Sequence, residues 1–465
     1  MSFQEKNKQS QHIDKIESTT DNLTGRGGLA LFSRYIEKIQ ILDIMANKFG
    51  FIRKSRKGLP VRMLFHQILC WFFDGTSRHL SYFDQIKKDE GYASVIETSS
   101  EDMASSHSIK RFFSAFGIGC AYLYRKILHK LFIWRLKIEK PLEIRLYQDS
   151  MILNNNDANK RQGVQPTYKK VKGFQPLQVI WNGMIVDAIF RGGKKNCNYE
   201  SVALNMVTGL VKLIRKEYRD DVPIFLHVDS GFFDQNNYIA FDALDIAFIG
   251  SGKMYDSIKT YVETTDDNEW GEFEKGKKTW KFLEFGFRCG NWKRFFRAVY
   301  THLVYEEDGQ MLLDFARPDN ILITNIGMNS KVLENCTPER KRYWLDLVSV
   351  IGSYHQCGAD ELAHRSLKNL GFECLPFEKF TSNMSLFYCM LITFFLFECF
   401  KRDVLNEIIP IGSYPETVRR LIVDIPAKIV RTSRTITLKV THYVMKNLKF
   451  DILWRKCQNP VPIIV

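Results

Sequence analysis

Residues 142–149 read Leu142-Glu143-Ile144-Arg145-Leu146-Tyr147-Gln148-Asp149, so apolar and polar side chains alternate and the stretch ends on a carboxylate. Alternation with a period of two is typical of a β-strand. A second stretch, residues 223–229, is an apolar run that ends on Asp229. We interpret both stretches as strands that present a carboxylate at their carboxyl ends.

The segments around these strands indicate how the sheet is built. Asn182-Gly183 separates two apolar runs, which is the strongest short-range signal for a β-hairpin. A helical pattern over 199–218 precedes the second strand, and a helix near 234–241 and a short strand at 246–250 follow it. This order of strand, hairpin, helix, strand, helix and strand is that of a ribonuclease-H-like fold with a mixed sheet. Its first and fourth strands are neighbours, so we expect the two strand-end aspartates to lie side by side.

A third stretch is interpreted as a helix that carries Glu361. Positions seven apart on a helix lie within about 20° of each other, so Tyr354, Glu361 and Lys368 share one face. Two strand-end aspartates and one helix-borne glutamate can converge on a pair of Mg²⁺ ions, which stabilise the attacking and leaving oxygens in phosphoryl transfer. The sequence therefore predicts Asp149, Asp229 and Glu361 as catalytic and metal-binding residues.

Three other aspartates compete for these roles. Asp187 falls late in a hairpin strand and Asp234 lies past the turn that follows the second strand, so both fit a strand-end site less well. Asp360 would point about 100° away from the metals if Glu361 faces them. We therefore prefer the set of three carboxylates given above.

The composition favours a polyanionic partner. The 465-residue chain has a net charge of +14 and a pI of about 9.1, which suits nucleic acid better than a small substrate. Its length predicts two or three domains.

The cysteines and the apolar segments indicate the compartment. The ten cysteines lack zinc-site spacing and no apolar leader is visible, so we expect reduced thiols in a cytoplasmic protein. The apolar run 384–397 is shorter than the roughly 20 residues that span a bilayer, so it predicts a buried helix and no membrane partner.

These patterns divide the chain into six segments. They are a flexible tail (1–22), a helical DNA-binding domain (23–138), the first part of an α/β catalytic core (139–260), a β-rich insertion (261–345), the last part of the core (346–405) and a basic C-terminal region (406–465). The basic residues of the helical domain are equally consistent with DNA binding and with an ordinary solvated face. The same two interpretations hold for the alternating basic stretch 428–439.

The three acidic stretches together resemble those of the DDE transposases of bacterial insertion sequences, in the branch with the helix signature Tyr-x2-Arg-x3-Glu-x6-Lys. Within that branch the sequence is most similar to the thirteen-eighty type. The signature appears here as Tyr354-x2-Cys357-x3-Glu361-x6-Lys368. Residues 228–232 (Val-Asp-Ser-Gly-Phe) match the family's second acidic motif, and residues 148–150 (Gln-Asp-Ser) match its first. The similarity covers roughly residues 23–446.

The resemblance implies an enzyme that cuts the ends of a mobile element and joins them to target DNA. It implies two Mg²⁺ ions, for which Mn²⁺ can substitute, and double-stranded DNA as the partner of a homodimer associated with the nucleoid. It implies an RNase-H-like core with a β-strand insertion, and an N-terminal region that binds the terminal inverted repeats. It implies DNA contacts at Tyr354 and Lys368, and an aromatic residue in the insertion that stacks on a flipped base, for which Trp292 is the candidate. To these DNA contacts we add Arg365. An ordinary core position is the alternative for such a tryptophan.

Cys357 departs from the family pattern, which has arginine at this position. A thiol cannot hold a phosphate bidentately. Either the cleft lacks one phosphate contact, in which case Cys357→Arg should strengthen binding of the cleaved end, or Arg365 or His355 supplies the missing charge. Two alternatives therefore stay open beside the transposase. One is a transposase-derived DNA-binding protein with impaired catalysis, and the other is an RNase-H-like nuclease that cuts DNA without joining strands.

Overall fold

The structure is a computed structural model that describes residues 13, 15–53, 57–158, 160–195, 201–275, 278–306, 310–311, 319–328 and 331–463. At residues 275, 305–306, 310–311 and 357–361 it describes the backbone and not the side chains. Most of the predicted tail at 1–22 therefore lies outside the described residues. The side chain of Glu361, the third predicted carboxylate, also lies outside them.

Sixteen α-helices lie within the described part of the chain. They are α1 Leu29–Lys38, α2 Ile41–Phe49, α3 Val61–Asp74, α4 Tyr82–Ile86, α5 Glu90–Val95, α6 Ser106–Ser114, α7 Cys120–Glu139, α8 Val202–Glu217, α9 Gln235–Ala243, α10 Asp256–Thr264, α11 Pro338–Leu345, α12 Leu347–Leu370, α13 Phe380–Phe400, α14 Pro415–Val418, α15 His442–Asn447 and α16 Phe450–Gln458. Helices α8 and α9 confirm the two helices predicted around the second acidic strand.

Sixteen strands accompany these helices in the same residues. They are β1 Leu23–Thr24, β2 Ile144–Ser150, β3 Leu153–Asn154, β4 Gln165–Pro166, β5 Lys172–Phe174, β6 Leu177–Trp181, β7 Met184–Ile189, β8 Ile224–Val228, β9 Ala247–Ser251, β10 Gly271–Lys275, β11 Lys278–Phe287, β12 Phe296–Glu306, β13 Gln310–Met311, β14 Asn320–Thr324, β15 Ala427–Arg431 and β16 Ile436–Val440. The protein is therefore mixed α/β.

One large mixed sheet organises the middle of the chain. Its strands run in the order β10-β11-β12-β14-β9-β8-β2-β6-β7, with β13 beside β12. The pairs β2–β8 and β8–β9 are parallel, and the hairpin β6–β7 lies antiparallel beside β2. The predicted adjacency of the first and fourth strands is confirmed, since Gln148 is paired with Val228.

The predicted β-rich stretch continues this sheet. Strand β14 lies antiparallel to β9, with Ile323 opposite Gly250, and β12 and β11 extend the sheet outward from it. The side of the sheet that carries Phe225 and Ile249 forms a second apolar cluster with Leu322, Trp344 and other buried residues. This cluster supports α11 and the start of α12 against the sheet.

Helix α13 is the central helix of the main core. Its residues 382–400 are all buried, and it packs against α3, α6, α7 and β7. Within the described residues, one helix, Phe380–Leu405, is long and apolar enough to cross a membrane, and its apolar window is wholly buried in the protein. A helix that is apolar on all sides fits a protein interior as well as a membrane. The buried helix predicted at 384–397 is confirmed.

The C-terminal region folds back onto the first residues of the described chain. Strand β15 lies between β1 and β16, with Lys428 opposite Leu23, and α16 packs against α1. The alternating basic stretch predicted at 428–439 is thus the hairpin β15–β16. The two ends of the described chain meet through this sheet and this helix pair.

Candidate active site

Asp149 and Asp229 lie at the same edge of the sheet. Asp149 is the penultimate residue of β2, and Asp229 directly follows β8, the parallel neighbour of β2. The Ser150 N–H donates to Asp149 Oδ1 at 2.6 Å. Asp229 Oδ1 accepts from the Ser230 hydroxyl at 2.8 Å and from the Gly231 N–H at 3.0 Å, so it also caps the short 3-10 turn at 230–232. Local hydrogen bonds therefore fix both carboxylates at the strand ends.

The start of α12 is anchored to the strands that carry these aspartates. Asp346 caps the helix by accepting from the Ser349 N–H at 2.9 Å. One turn further, Ser353 Oγ lies 3.1 Å from Nε2 of the buried His227 on β8. Burial lowers the pKa of His227 to about 4, so this contact is made by a neutral imidazole. The helix thus runs across the sheet edge at a fixed position.

An open cleft of about 1140 Å³ lies between this sheet edge and α12. Both strand-end aspartates line it, and so do three residues that are predicted to contact DNA: Tyr354, Arg365 and Lys368. Its other walls come from β2 and the segment after it, from the turn between β4 and β5, from the end of α12 and the residues after it, and from the chain near α14. Those residues are Tyr147, Met151, Ile152, Asn154, Tyr168, Lys169, Val171, His364, Asn369, Glu373, Tyr414, Glu416 and Thr417.

His364 is a cleft residue that the sequence interpretation missed. Its Nδ1 lies 3.7 Å from Asp149 Oδ2, and its side chain is 13% exposed. Burial, with a smaller effect of the Lys368 charge, lowers the pKa of His364 to about 4. The contact is therefore between a neutral ring and a carboxylate at neutral pH. The signal was present in the sequence, because residues three and four apart on a helix are neighbours and His364 lies four before Lys368.

The two cations on α12 are held in different ways. The Arg365 guanidinium is exposed and lies 5.1 Å from the ring centroid of Tyr414. Lys368 Nζ lies 3.2 Å from Glu373 Oε1, so its charge is partly compensated within the protein. Arg365 therefore offers the less compensated charge to a phosphate entering the cleft.

Glu361 and Cys357 are placed only through the backbone. Both lie in α12, between Tyr354 and His364, whose side chains reach the cleft. Their side chains and that of Asp360 lie outside the described residues. The predicted role of Glu361 and the loss of charge at Cys357 therefore stay predictions.

Trp292 lies apart from the cleft, in an aromatic cluster. Its side chain is 8% exposed, and its ring centroid lies 5.0 Å from that of Phe233, with Tyr238, Phe287 and Phe296 also in contact. The ring faces are therefore covered by protein in this structure. The placement agrees with the alternative of an ordinary core position, and the predicted stacking on a base would need this cluster to open.

The competing aspartates have structural partners elsewhere. Asp187 is fully buried on β7, where Arg125 donates to both of its oxygens at 2.8 and 2.7 Å and His129 Nε2 lies 3.0 Å away. Burial alone would raise its pKa, but the hydrogen bonds from Arg125 and His129 outweigh burial and keep the pKa low. Asp234 caps α9 by accepting from the Asn236 N–H at 2.8 Å. Neither residue lines the cleft.

The chemistry of the cleft suits a hard cation. Carboxylate oxygens are the protein ligands that Mg²⁺ prefers, and Asp149 and Asp229 present theirs at one sheet edge. The hydrogen bonds given above for Asp229 both use Oδ1. Among the described side chains, no three residues of the types His, Cys, Asp and Glu form a metal-binding group.

The sequence matches the family described as Transposase DDE domain group 1 over residues 7–459. The chain belongs to this DDE transposase family. Proteins of the family generally use divalent metal ions, in agreement with the carboxylates of the cleft.

No curated protein matches the sequence of this transposase. Among solved structures, a cryo-EM structure of a piggyBac transposase synaptic complex with hairpin DNA is similar over 85% of this chain and 80% of that chain, with 11% sequence identity and a TM-score of 0.37.

Proposed function

We propose that this transposase cuts DNA at the ends of a mobile element and joins them to target DNA, with Asp149, Asp229 and Glu361 as its catalytic carboxylates. The observation that supports this most directly is the parallel pairing of β2 with β8, which brings the first two carboxylates to one edge of the sheet. A second support is that the signature helix α12 lines the same cleft. The family assignment makes transposition the relevant chemistry.

The three carboxylates would hold Mg²⁺, or Mn²⁺ in its place, as a pair of ions. Bound there, the ions would supply activation of the attacking oxygen and stabilisation of the leaving oxygen. The protein's own contribution is positioning: local hydrogen bonds fix Asp149 and Asp229, and the anchored start of α12 fixes the helix. Arg365, Lys368 and Tyr354 lie where they could bind the phosphates next to the scissile bond.

The partner we propose is double-stranded DNA, first as element ends and then as target. The net charge of +14 supports such a partner, because each neutralised phosphate releases counterions. We further propose an RNase-H-like catalytic core, an N-terminal helical domain within 23–138 that binds the terminal inverted repeats, and a homodimer in the DNA complex. The protein would act in the bacterial cytoplasm, on the nucleoid.

The test is strand cleavage by single-residue variants. The substrate is a duplex that carries the inverted repeat flanking the coding sequence, incubated with Mg²⁺. Asp149→Ala, Asp229→Ala and Glu361→Ala are each expected to abolish cleavage and to retain binding of the duplex. Asp234→Asn is the matched control, because it keeps the cap of α9 outside the cleft. Full cleavage by Asp229→Ala would refute the assignment.

Cys357 is the observation that favours the first alternative, a DNA-binding protein with impaired catalysis. If that alternative is correct, the wild-type protein binds the element ends and produces no nicks with either Mg²⁺ or Mn²⁺. The second alternative, a nuclease without strand joining, predicts nicks and no joined products. A strand-transfer assay with labelled ends and a plasmid target distinguishes all three functions.

A further inference from the structure

The turn between β4 and β5 forms a projecting element that we name the cleft hairpin, residues 165–174. Its tip is internally hydrogen-bonded: Thr167 donates through its N–H and its hydroxyl to the Val171 carbonyl, both at 2.9 Å. The Lys170 N–H donates to the Thr167 carbonyl at 2.9 Å, and Lys170 itself adopts a left-handed conformation with φ of 61°. Hydrogen bonds within the tip therefore define its shape.

The base of the cleft hairpin is fixed to the rest of the protein. The Lys172 N–H donates to the Asn156 side chain at 2.8 Å, and β5 pairs with β3. A Cβ on Gly173 would lie 2.0 Å from the Leu153 carbonyl oxygen, so only glycine permits this close pairing. Phe174 is buried, with its ring centroid 4.7 Å from that of Phe190. The base of the hairpin is thus held in place by a hydrogen bond, by strand pairing and by aromatic packing.

The tip carries an exposed aromatic ring and positive charge. Tyr168 is 64% exposed and lines the cleft together with Lys169, Asp149 and Asp229. The thirteen residues 160–172 include five Lys or Arg and no Asp or Glu. Among them, Lys169, Lys170 and Lys172 are exposed. On the other side of the cleft, Lys368 is paired with Glu373 and the Arg365 guanidinium lies over the Tyr414 ring. The hairpin therefore offers an exposed ring next to exposed lysines.

We infer that the cleft hairpin holds an unpaired DNA strand at the catalytic edge of the sheet. The ring of Tyr168 stacks on a base, and Lys169, Lys170 and Lys172 bind the phosphates on either side of it. An exposed aromatic ring flanked by cations is the pattern by which proteins bind single strands without reading sequence, since every base has a face that can stack. Duplex bases are already stacked on each other, so the ring selects a strand that is unpaired near the cut. This inference deepens the proposed function and rests on it.

The test compares two substitutions at Tyr168 in the full-length protein. The probe is a short oligodeoxythymidine with one 2-aminopurine, whose fluorescence falls when the base is stacked. Tyr168→Phe keeps the ring, so affinity and quenching are expected to match the wild type. Tyr168→Leu keeps an apolar side chain but removes the ring, so affinity is expected to fall roughly tenfold and quenching to disappear. The side chain is mostly exposed, so thermal unfolding should be unchanged in both variants.

The lysines are tested through salt dependence. Lys169→Gln, Lys170→Gln and Lys172→Gln are made as single variants. Each should make the slope of log affinity against log salt concentration shallower by about 0.7, the value for one phosphate contact to a single strand. Lys216→Gln is the control, because Lys216 lies on α8, is 81% exposed and is not part of the cleft. If the hairpin variants and this control have the same slope of log affinity against log salt concentration, the inference that the hairpin lysines bind phosphates is overturned.

Failure of this inference is separable from failure of the proposed function. If the wild type cleaves the element-end duplex and Tyr168→Leu binds and quenches the probe as the wild type does, only the hairpin inference is overturned. If the wild type neither binds nor cleaves DNA, the proposed function and the inference both fail. Quenching that is lost in Tyr168→Leu and kept in Tyr168→Phe supports the inference directly.

Discussion

His364 on α12 lies with its Nδ1 atom 3.7 Å from Oδ2 of Asp149 on β2. Burial keeps the imidazole neutral at neutral pH, and its Nε2 atom is buried without a hydrogen-bond partner among the described atoms. The ring therefore packs a polar but uncharged group against Asp149, the first of the proposed catalytic carboxylates. It links the signature helix directly to the strand that carries Asp149.

We predict that His364→Ala lowers strand cleavage by roughly 10- to 100-fold, the range for residues that orient a metal-binding side chain. His364→Gln, which keeps a polar side chain of similar reach, should retain more activity than His364→Ala. Cleavage rates at saturating Mg²⁺, together with duplex binding and thermal unfolding, separate this effect from misfolding. Wild-type cleavage by a folded His364→Ala protein would show that the ring does not position Asp149.

Asp149 and Asp187 lie in the same sheet and should respond to substitution in opposite ways. Asp187→Asn removes a buried charge paired with Arg125, and breaking such a pair costs about 3–5 kcal/mol of stability. Asp149→Asn should abolish cleavage and change stability less than Asp187→Asn does, because Asp149 lines the open cleft whereas Asp187 is fully buried. Chemical denaturation and cleavage assays on both variants test this pair. A destabilised Asp149→Asn protein would contradict the assignment of the strand-end aspartate to catalysis.

Arg365 is predicted to supply the phosphate contact for which the resembled helix signature has arginine at the position of Cys357. Its exposed guanidinium stacks on Tyr414 at the cleft, and a hydrogen bond to a charged group contributes about 1.5–3 kcal/mol. Arg365→Ala should therefore weaken binding of the element end by roughly tenfold or more, and Cys357→Arg should bring little gain. Arg420→Ala, an exposed residue outside the cleft, is the control. A large gain in Cys357→Arg with no loss in Arg365→Ala would reverse the assignment.

Local sequence patterns were sufficient to predict the strands and the helix that line the candidate site. Alternation and apolar runs located β2 and β8, and the order of strands and helices gave their adjacency, because connection rules restrict how such a sheet is assembled. The cleft also gathers Tyr354 and Lys368, as their common helix face required. These features depend on short-range periodicity, which a single sequence displays.

Features that depend on packing between distant parts of the chain cannot be predicted from local sequence patterns. The pairing of Leu23 with Lys428 joins residues about four hundred positions apart, and no local pattern specifies it. Trp292 has basic neighbours in sequence, yet its ring is buried by residues from other elements. His364 was overlooked because a lone histidine on a helix is ambiguous until its strand partner is known.

Arg419 joins the ends of two helices that belong to distant parts of the chain. Its guanidinium donates to the carbonyls of Phe72 and Phe73 at the end of α3 and to those of Asn369 and Leu370 at the end of α12, all at 2.7–2.9 Å. Burial lowers the pKa of Arg419 to about 10, so it stays charged at neutral pH. The contact satisfies helix-end carbonyls that otherwise lack partners.

We predict that Arg419→Gln destabilises the protein by about 2–4 kcal/mol, because several buried carbonyls lose a charged donor. Amide hydrogen exchange should rise at the ends of α3 and α12 before it rises elsewhere. The neighbouring Arg420→Gln substitution, at an exposed position, should leave both measurements unchanged. Equal stabilities of the two variants would show that the four hydrogen bonds contribute nothing net.

His66 is buried on α3, where its Nε2 lies 2.8 Å from the Ser33 hydroxyl, and burial lowers its pKa to about 4. In the unfolded chain the pKa of histidine is about 6.5, so the unfolded state binds more protons between these two values. The stability that His66 contributes is therefore present above pH 6.5 and is lost as the pH falls toward 4. From pH 7 to pH 5 this loss is about 2 kcal/mol for His66 alone.

We predict that the free energy of unfolding falls by about 2 kcal/mol less between pH 7 and pH 5 in His66→Gln than in the wild type, as measured by denaturation across this range. His442→Gln, at an exposed helix start, is the control. Parallel curves for the wild type and His66→Gln would mean that His66 is not buried as a neutral ring.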